Sequence, residues 1–241
     1  MEEDRPAFYA LPRGGWRDWW TLLHPPYTLW HLSYVALGAA TAAEVDLYLL
    51  WMSLLGFFLG VGLAAHALDE LRGRPLGTSI PDRVLGGLAI VALAGAVAVG
   101  IVGIVEVSAW IAAFIVVGAF LVVAYNLELW GGAFHSDLWF ALAWGGFPAL
   151  TGGFAQDGRL RVTAVLVAGA CVAISAAQRA LSTPVRRLRR RVATVEGTIT
   201  MRDGTTEPVG PGVIRTAPEA ALKLLSLAMP LLATAFVISR L

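Results

Sequence analysis

Thiols and charge are both scarce in this sequence. The single cysteine, Cys171, lies inside an apolar run, so no disulfide within the chain is possible and no Cys-ligated metal site is expected. A packed core thiol is the simplest role for it. Charged residues make up 15% of the 241, against about 25% in an ordinary soluble domain, which argues against a water-soluble fold. Residues 1–20 mix acids, Arg, Pro and Trp without an apolar h-region, so no cleavable signal peptide is expected. There is no internal repeat and no low-complexity linker. The formal charge of +1 identifies no partner, and no nucleic acid is expected among the partners.

Apolar residues are abundant, at 57%, and they fall in long runs rather than in alternation with polar ones. Such runs mark a polytopic membrane protein. The fold class expected is all-α, a transmembrane bundle of about seven helices over 27–43, 47–69, 83–105, 108–128, 138–153, 161–181 and 218–238. Each approaches the ~20 residues that cross the hydrocarbon core. The fifth carries Gly145, Gly146, Pro148, Gly152 and Gly153, and a helix so broken survives only where neighbours or a cavity satisfy its backbone. Trp16, Trp19 and Trp20 suggest an interfacial segment ahead of the first span.

Arginine placement sets the topology. Arg5, Arg13 and Arg17, then Arg72, Arg74 and Arg83, then the run Arg186, Arg187, Arg189, Arg190 and Arg191 all fall on one side. The positive-inside rule makes that side cytoplasmic, with the C-terminus outside, in the plasma membrane. The chain divides into a cytoplasmic arm with the interfacial segment (1–26), a six-helix membrane core (27–181), a basic cytoplasmic segment (182–217) and a last transmembrane helix (218–241). In the basic segment, Pro184–Arg191 suits a short helix drawn to anionic lipid headgroups. Beyond it, β-branched residues over 192–201, the turn signal Asp203-Gly204 and Thr205–Val209 predict a small β-hairpin.

With the sides assigned, all four histidines fall at or near the cytoplasmic face: His24, His31, His66 and His135. The densest cluster ends the second span. His66 and Asp69, three residues apart, share a helix face with Glu70 one further on, and ionisable groups at a bilayer boundary are costly unless solvated, partnered or functional. His66, Asp69 and Glu70 are therefore the candidate catalytic and metal-binding residues. Arg72, Arg74, Tyr125, Asn126, Gln178, Arg179 and His31 are the candidate substrate contacts, around a polar cavity that opens to the cytoplasm.

Several stretches carry a resemblance. His24-Pro25-Pro26-Tyr27-Thr28-Leu29, running on to Gly38, resembles the first helix of the UbiA superfamily of intramembrane prenyltransferases. Ala65–Asp69 falls where that family has its first Asp-rich motif, and Arg74-Pro75-Leu76 resembles the Arg-Pro-Leu that follows it. Tyr125-Asn126 and Trp144-Gly145-Gly146-Phe147-Pro148 match later positions, so the similarity covers roughly 22–180. The resemblance implies a helical bundle in which Mg²⁺ on two Asp-rich motifs binds a prenyl diphosphate, whose isoprenoid passes to an aromatic or lipid acceptor. Mg²⁺ prefers hard oxygen ligands, and a departing diphosphate needs positive charge to stabilise it. Of the first motif only Asp69 is in register, with Glu70 as a substitute, and the second motif has no counterpart between Asp157 and Glu196.

Three functions are compatible with these residues. The first is a divergent prenyltransferase with Mg²⁺ on Asp69 and Glu70 and diphosphate on Arg179, Arg72 or Arg74. The second is a UbiA-like protein holding a transition metal on His66, Asp69 and Glu70 with His31 or His135. The third is a non-catalytic lipid binder or partner subunit. A membrane lipid or isoprenoid is the expected ligand in each enzymatic case.

Overall fold

A computed structural model describes residues 5–241; of the arm expected over 1–26, residues 1–4 lie outside the described residues. The chain folds as α1 (Trp16–Leu23), α2 (Pro25–Ala39), α3 (Leu47–Leu71), α4 (Asp82–Glu106), α5 (Ile111–Asn126), α6 (137–157), α7 (Val162–Arg190), the strands β1 (Thr198–Thr200) and β2 (Thr206–Pro208), and α8 (Pro211–Ile238). The all-α class is as expected. Four helices, α3, α4, α7 and α8, are long and apolar enough to cross a membrane, which makes this a helical membrane protein. Seven such helices are not found among the described residues: α5 is apolar but has 16 residues, and α2 has 15.

The differences have local causes. The first span was expected to reach residue 43, but α2 stops at Ala39, where Thr41 turns back and donates through both its amide (3.0 Å) and its hydroxyl (2.7 Å) to the Gly38 carbonyl. A hydroxyl that competes for a backbone carbonyl in this way favours a helix end. Conversely, α7 does not stop at 181 to release a separate surface helix. It runs through Pro184 to Arg190 as one element. The last helix starts seven residues early, at Pro211, a residue well suited to a helix's first turn.

Both α3 and α6 widen into π-helix, over Phe58–Ala65 and Leu142–Gly146. Pro148 lies two residues beyond the end of the second and lacks the amide that would continue an α-helical ladder. The helices around this region sit very close. A Cβ on Gly152 would collide with the Val35 carbonyl, and one on Gly38 with the Ala149 carbonyl, so α2 and α6 touch backbone to backbone, as small residues allow in membrane bundles.

One core cluster joins α3, α5 and α6 through Val61, Tyr125 and Trp144, and a second joins α2, α7 and α8 through Trp30, Cys171 and Leu222. Cys171 is buried in this second core. Large apolar side chains on α4, α7 and α8, such as Ile90, Val105, Leu166, Leu224 and Phe236, face outward, as the lipid-facing side of such helices does. The hairpin forms in the expected place, with Thr198 opposite Pro208 and Thr200 opposite Thr206. Gly204, at φ +85°, takes the left-handed turn position. Asp203 accepts from the Thr205 amide and hydroxyl at 3.0 and 2.7 Å, which holds its carboxyl below the usual carboxylate range.

Candidate functional site

A cavity of about 840 Å³ opens between the ends of α2, α3, α5, α6 and α7. Among the described residues its walls contain all four histidines, seven arginines and three carboxylates, Asp69, Glu128 and Asp137. So large an excess of cations in a partly dry space predisposes it to anions.

The π segment of α3 shapes one wall. Nδ1 of His66 lies 3.1 Å from the Gly62 carbonyl. Because a carbonyl only accepts, the proton sits on Nδ1 and Nε2 is left as a bare lone pair. The same arrangement recurs in His24, with Nδ1 2.9 Å from the Leu22 carbonyl, and in His135, 3.0 Å from that of Tyr125. His24 occupies the sharp junction between α1 and α2 at φ +47°. Burial, and next to it His66, push its imidazole well below the usual histidine range. Nearby, burial, and then Tyr27, raise the phenol of Tyr9 above its usual range.

Among the described residues, three on the cavity wall carry buried polar atoms that make no hydrogen bond of good geometry: both ring nitrogens of His31, which lies beside Gln178, the Tyr125 hydroxyl and the Gln178 side-chain oxygen. Buried polar atoms are normally satisfied, so a cavity wall that presents several orphans is suited to a polar ligand. Tyr125 is held in place by stacking on His135, centroids 4.4 Å apart. Asn126 spends its amide on the Val122 carbonyl at 2.7 Å.

Not every residue singled out from sequence reaches the cavity. His66 and Asp69 line it together, but Glu70 does not. Glu70 is fully buried beneath the α3–α4 loop, where its carboxylate accepts from the Leu76 amide (2.9 Å), the Thr78 amide (2.7 Å) and the Thr78 hydroxyl (2.9 Å). It was expected to ligate a metal beside Asp69; here both its oxygens hold the loop. Arg74 is a loop strut as well, bonded to the Ile80 carbonyl at 2.6 Å and paired with Asp82. Arg72 pairs with Glu128 at 3.1 Å, and Arg179 with Asp137 at 2.6 Å while lying over the Phe140 ring.

The sequence reading missed other parts of the wall. Tyr9 lines it, and so do Ser182 and Thr183, with Arg186, Arg187, Arg190 and Arg191 of the stretch Pro184–Arg191 that was expected on the bilayer surface. The available signal was periodicity. Positions 179, 182, 183, 186 and 190 share one helical face once the helix is carried through Pro184.

The Mg²⁺ implied by the resemblance can be tested against this donor set. Of the acids around the cavity, Glu70 is consumed by the loop, and Glu128 and Asp137 are paired with arginine. Among the described residues Asp69 alone remains, on a wall it shares with the histidines. Mg²⁺ demands hard oxygen donors in near-octahedral array, and among the described residues no three His, Cys, Asp or Glu side chains converge on a metal-sized site. The residues present do not fit a Mg²⁺ clamp or the alternative transition-metal centre.

A second, apolar pocket lies between α3, α4, α5 and α6, lined by groups such as Phe57, Leu93, Phe114, Leu121 and Phe147. Val61 and Trp144 belong to the walls of both pockets, so the apolar pocket adjoins the polar cavity. Compared with family models, with curated proteins and with solved structures, the chain matches none.

Proposed function

We propose that this protein is an intramembrane transferase of the UbiA type, moving an isoprenoid from a prenyl diphosphate to a lipophilic acceptor in a cytoplasm-facing cavity. One observation carries this reading: an arginine-rich cavity and an apolar pocket share the walls Val61 and Trp144. A ligand with a phosphorylated head and a long apolar tail suits such a junction. Its head needs fixed cations, and its tail needs a surface free of polar groups. In this scheme α2, α5 and α6 cross the bilayer with the four long helices to make seven spans. The arginine-rich side, including the N-terminus and the cavity mouth, faces the cytoplasm of the plasma membrane, and the C-terminus lies outside.

Transfer begins when the allylic C–O bond breaks and its electron pair leaves with the diphosphate, toward the arginines of α7. The Asp69 carboxylate faces the developing allylic cation, and the acceptor forms the new bond to it. The proton that the acceptor sheds passes to Nε2 of His66, whose Nδ1–H is turned to the Gly62 carbonyl. Labelled geranylgeranyl diphosphate given to membranes containing the protein should yield an organic-soluble product. Asp69→Asn should abolish that product at equal protein level; undiminished transfer in this variant would overturn the scheme. One observation favours a second reading, a lipid binder without turnover: among the described residues Asp69 stands in the cavity without a second free carboxylate. Binding without product would establish it.

A further inference from the structure

The mismatch between the acids of the cavity and a Mg²⁺ clamp leaves the charge of a phosphorylated ligand to be met by other means. We infer that the cavity binds the phosphate-bearing head of its ligand through guanidinium groups without a divalent metal, and that Arg186 and Arg190 of α7 are the principal contacts. The inference rests on the phosphorylated-ligand reading above and deepens it.

Arg186 and Arg190 are one helical turn apart, so both present to the same side of α7, and both line the cavity. Among the described residues neither has a carboxylate partner. Arg186 has one long hydrogen bond, to the Thr183 hydroxyl at 3.4 Å, and Arg190 has one to the Pro6 carbonyl at 3.2 Å. Of the other five arginines around the cavity, Arg72, Arg74 and Arg179 each hold an acid, and Arg187 and Arg191 are exposed where Arg186 and Arg190 are half-buried. Two guanidinium groups left beside each other in a partly dry cavity repel, and a bound dianion relieves that repulsion. The guanidinium fork also matches phosphate oxygens two at a time. Ser182 and Thr183, on the same wall, add hydroxyl donors. The orphaned atoms of His31, Tyr125 and Gln178 supply a separate polar patch for the rest of the ligand.

The source of the head group is an open variable that the experiment separates. A prenyl diphosphate, a phospholipid and free pyrophosphate share the chemistry. Full-length protein in detergent is titrated with geranylgeranyl diphosphate, with inorganic pyrophosphate and with short-chain phosphatidic acid, each in EDTA and in Mg²⁺, and Kd is read from the shift in melting temperature. At least one of these probes is expected to bind in EDTA with a Kd within about threefold of its value in Mg²⁺. Two charge-assisted contacts, each worth about tenfold or more, predict that Arg186→Gln with Arg190→Gln weakens that probe on the order of a hundredfold. Arg186→Lys with Arg190→Lys should recover part of the loss, and Asp69→Asn should bind as the parent does. The ligand-free melting temperature of each variant reports whether it is folded. Binding of pyrophosphate or phosphatidic acid in EDTA without binding of the prenyl diphosphate would uphold this inference while removing the prenyltransferase reading. Failure of all three probes to bind in EDTA would overturn the inference, whether or not Mg²⁺ restores them. So would binding that is lost in Asp69→Asn but retained in the double glutamine variant.

Discussion

His24 and His66 face each other across the cavity wall with ring centroids 4.2 Å apart. Each donates its Nδ1 proton to a backbone carbonyl, and both rings line the cavity. Two imidazoles this close cannot both charge without repulsion.

A pH dependence follows for His24. Burial and its neighbour hold its pKa below the usual 6.5, so below that pH the unfolded chain binds a proton that the folded chain does not. Stability is full above about pH 6.5 and falls as the pH drops, by up to ~1.4 kcal/mol per unit, less where cavity water solvates the ring. The melting temperature in detergent should be flat from pH 8 to 7 and decline toward pH 5. His24→Asn tolerates the left-handed backbone and cannot titrate, so its decline should be shallower. An identical slope in both proteins would exclude His24 as a contributor.

Glu70 gives the opposite outcome from a catalytic carboxylate. Glu70→Ala strands the Leu76 and Thr78 amides beneath the loop, at about 1–3 kcal/mol for each buried donor left unpaired. The variant should melt several degrees lower and be cut by protease within 72–81, yet bind pyrophosphate as the parent does at a temperature where it is folded. Weakened binding with an intact melting temperature would instead assign Glu70 to the ligand.

The gathering of four histidines at one end was legible because arginine asymmetry and span counting need only a linear map. The fate of Glu70 was not, since its partners are amides six and eight residues on, and backbone donors leave no mark in a sequence. Pro184 misled for a physical reason: its ring normally breaks a helix, yet α7 passes through it, which carries the arginines from the bilayer surface into the cavity. The glycines of 145–153 announced an irregular helix. Gly60 and Gly62 stood in plain view in α3, but a longer apolar run around them hid the π segment.

Close backbone contact between α2 and α6 makes Gly152 and Gly38 intolerant of any side chain. Gly152→Ala pushes a Cβ against the Val35 carbonyl, and overpacking of this kind costs roughly 1–3 kcal/mol. Gly169, with nothing within 4 Å of its would-be Cβ, supplies the control. Gly169→Ala should be neutral or slightly stabilising from helix propensity alone. Equal melting temperatures for the two variants would show that α2 and α6 are not held at this separation.

Glu219 and Arg189 form the buried tie between α8 and α7, with Nη2 of Arg189 2.9 Å from both carboxylate oxygens and Nε at 3.2 Å. Arg189 also donates to the Arg5 carbonyl at 3.1 Å, so the same group anchors the N-terminal arm beside the cavity. The two halves of the pair are not equivalent. Removing Glu219 breaks a buried ion pair from its acidic side, a change that typically costs about 3–5 kcal/mol. Removing Arg189 leaves Glu219 with Arg215 at 3.7 Å and Lys223 at 3.4 Å still beside it. Glu219→Gln should therefore lower the melting temperature more than Arg189→Gln, although Arg189→Gln should be the variant whose arm is cleaved faster by protease, because it loses the Arg5 contact outright. Equal destabilisation by the two substitutions would mean that the neighbouring cations do not compensate Glu219, and an arm equally protected in both would mean that Arg189 does not hold it.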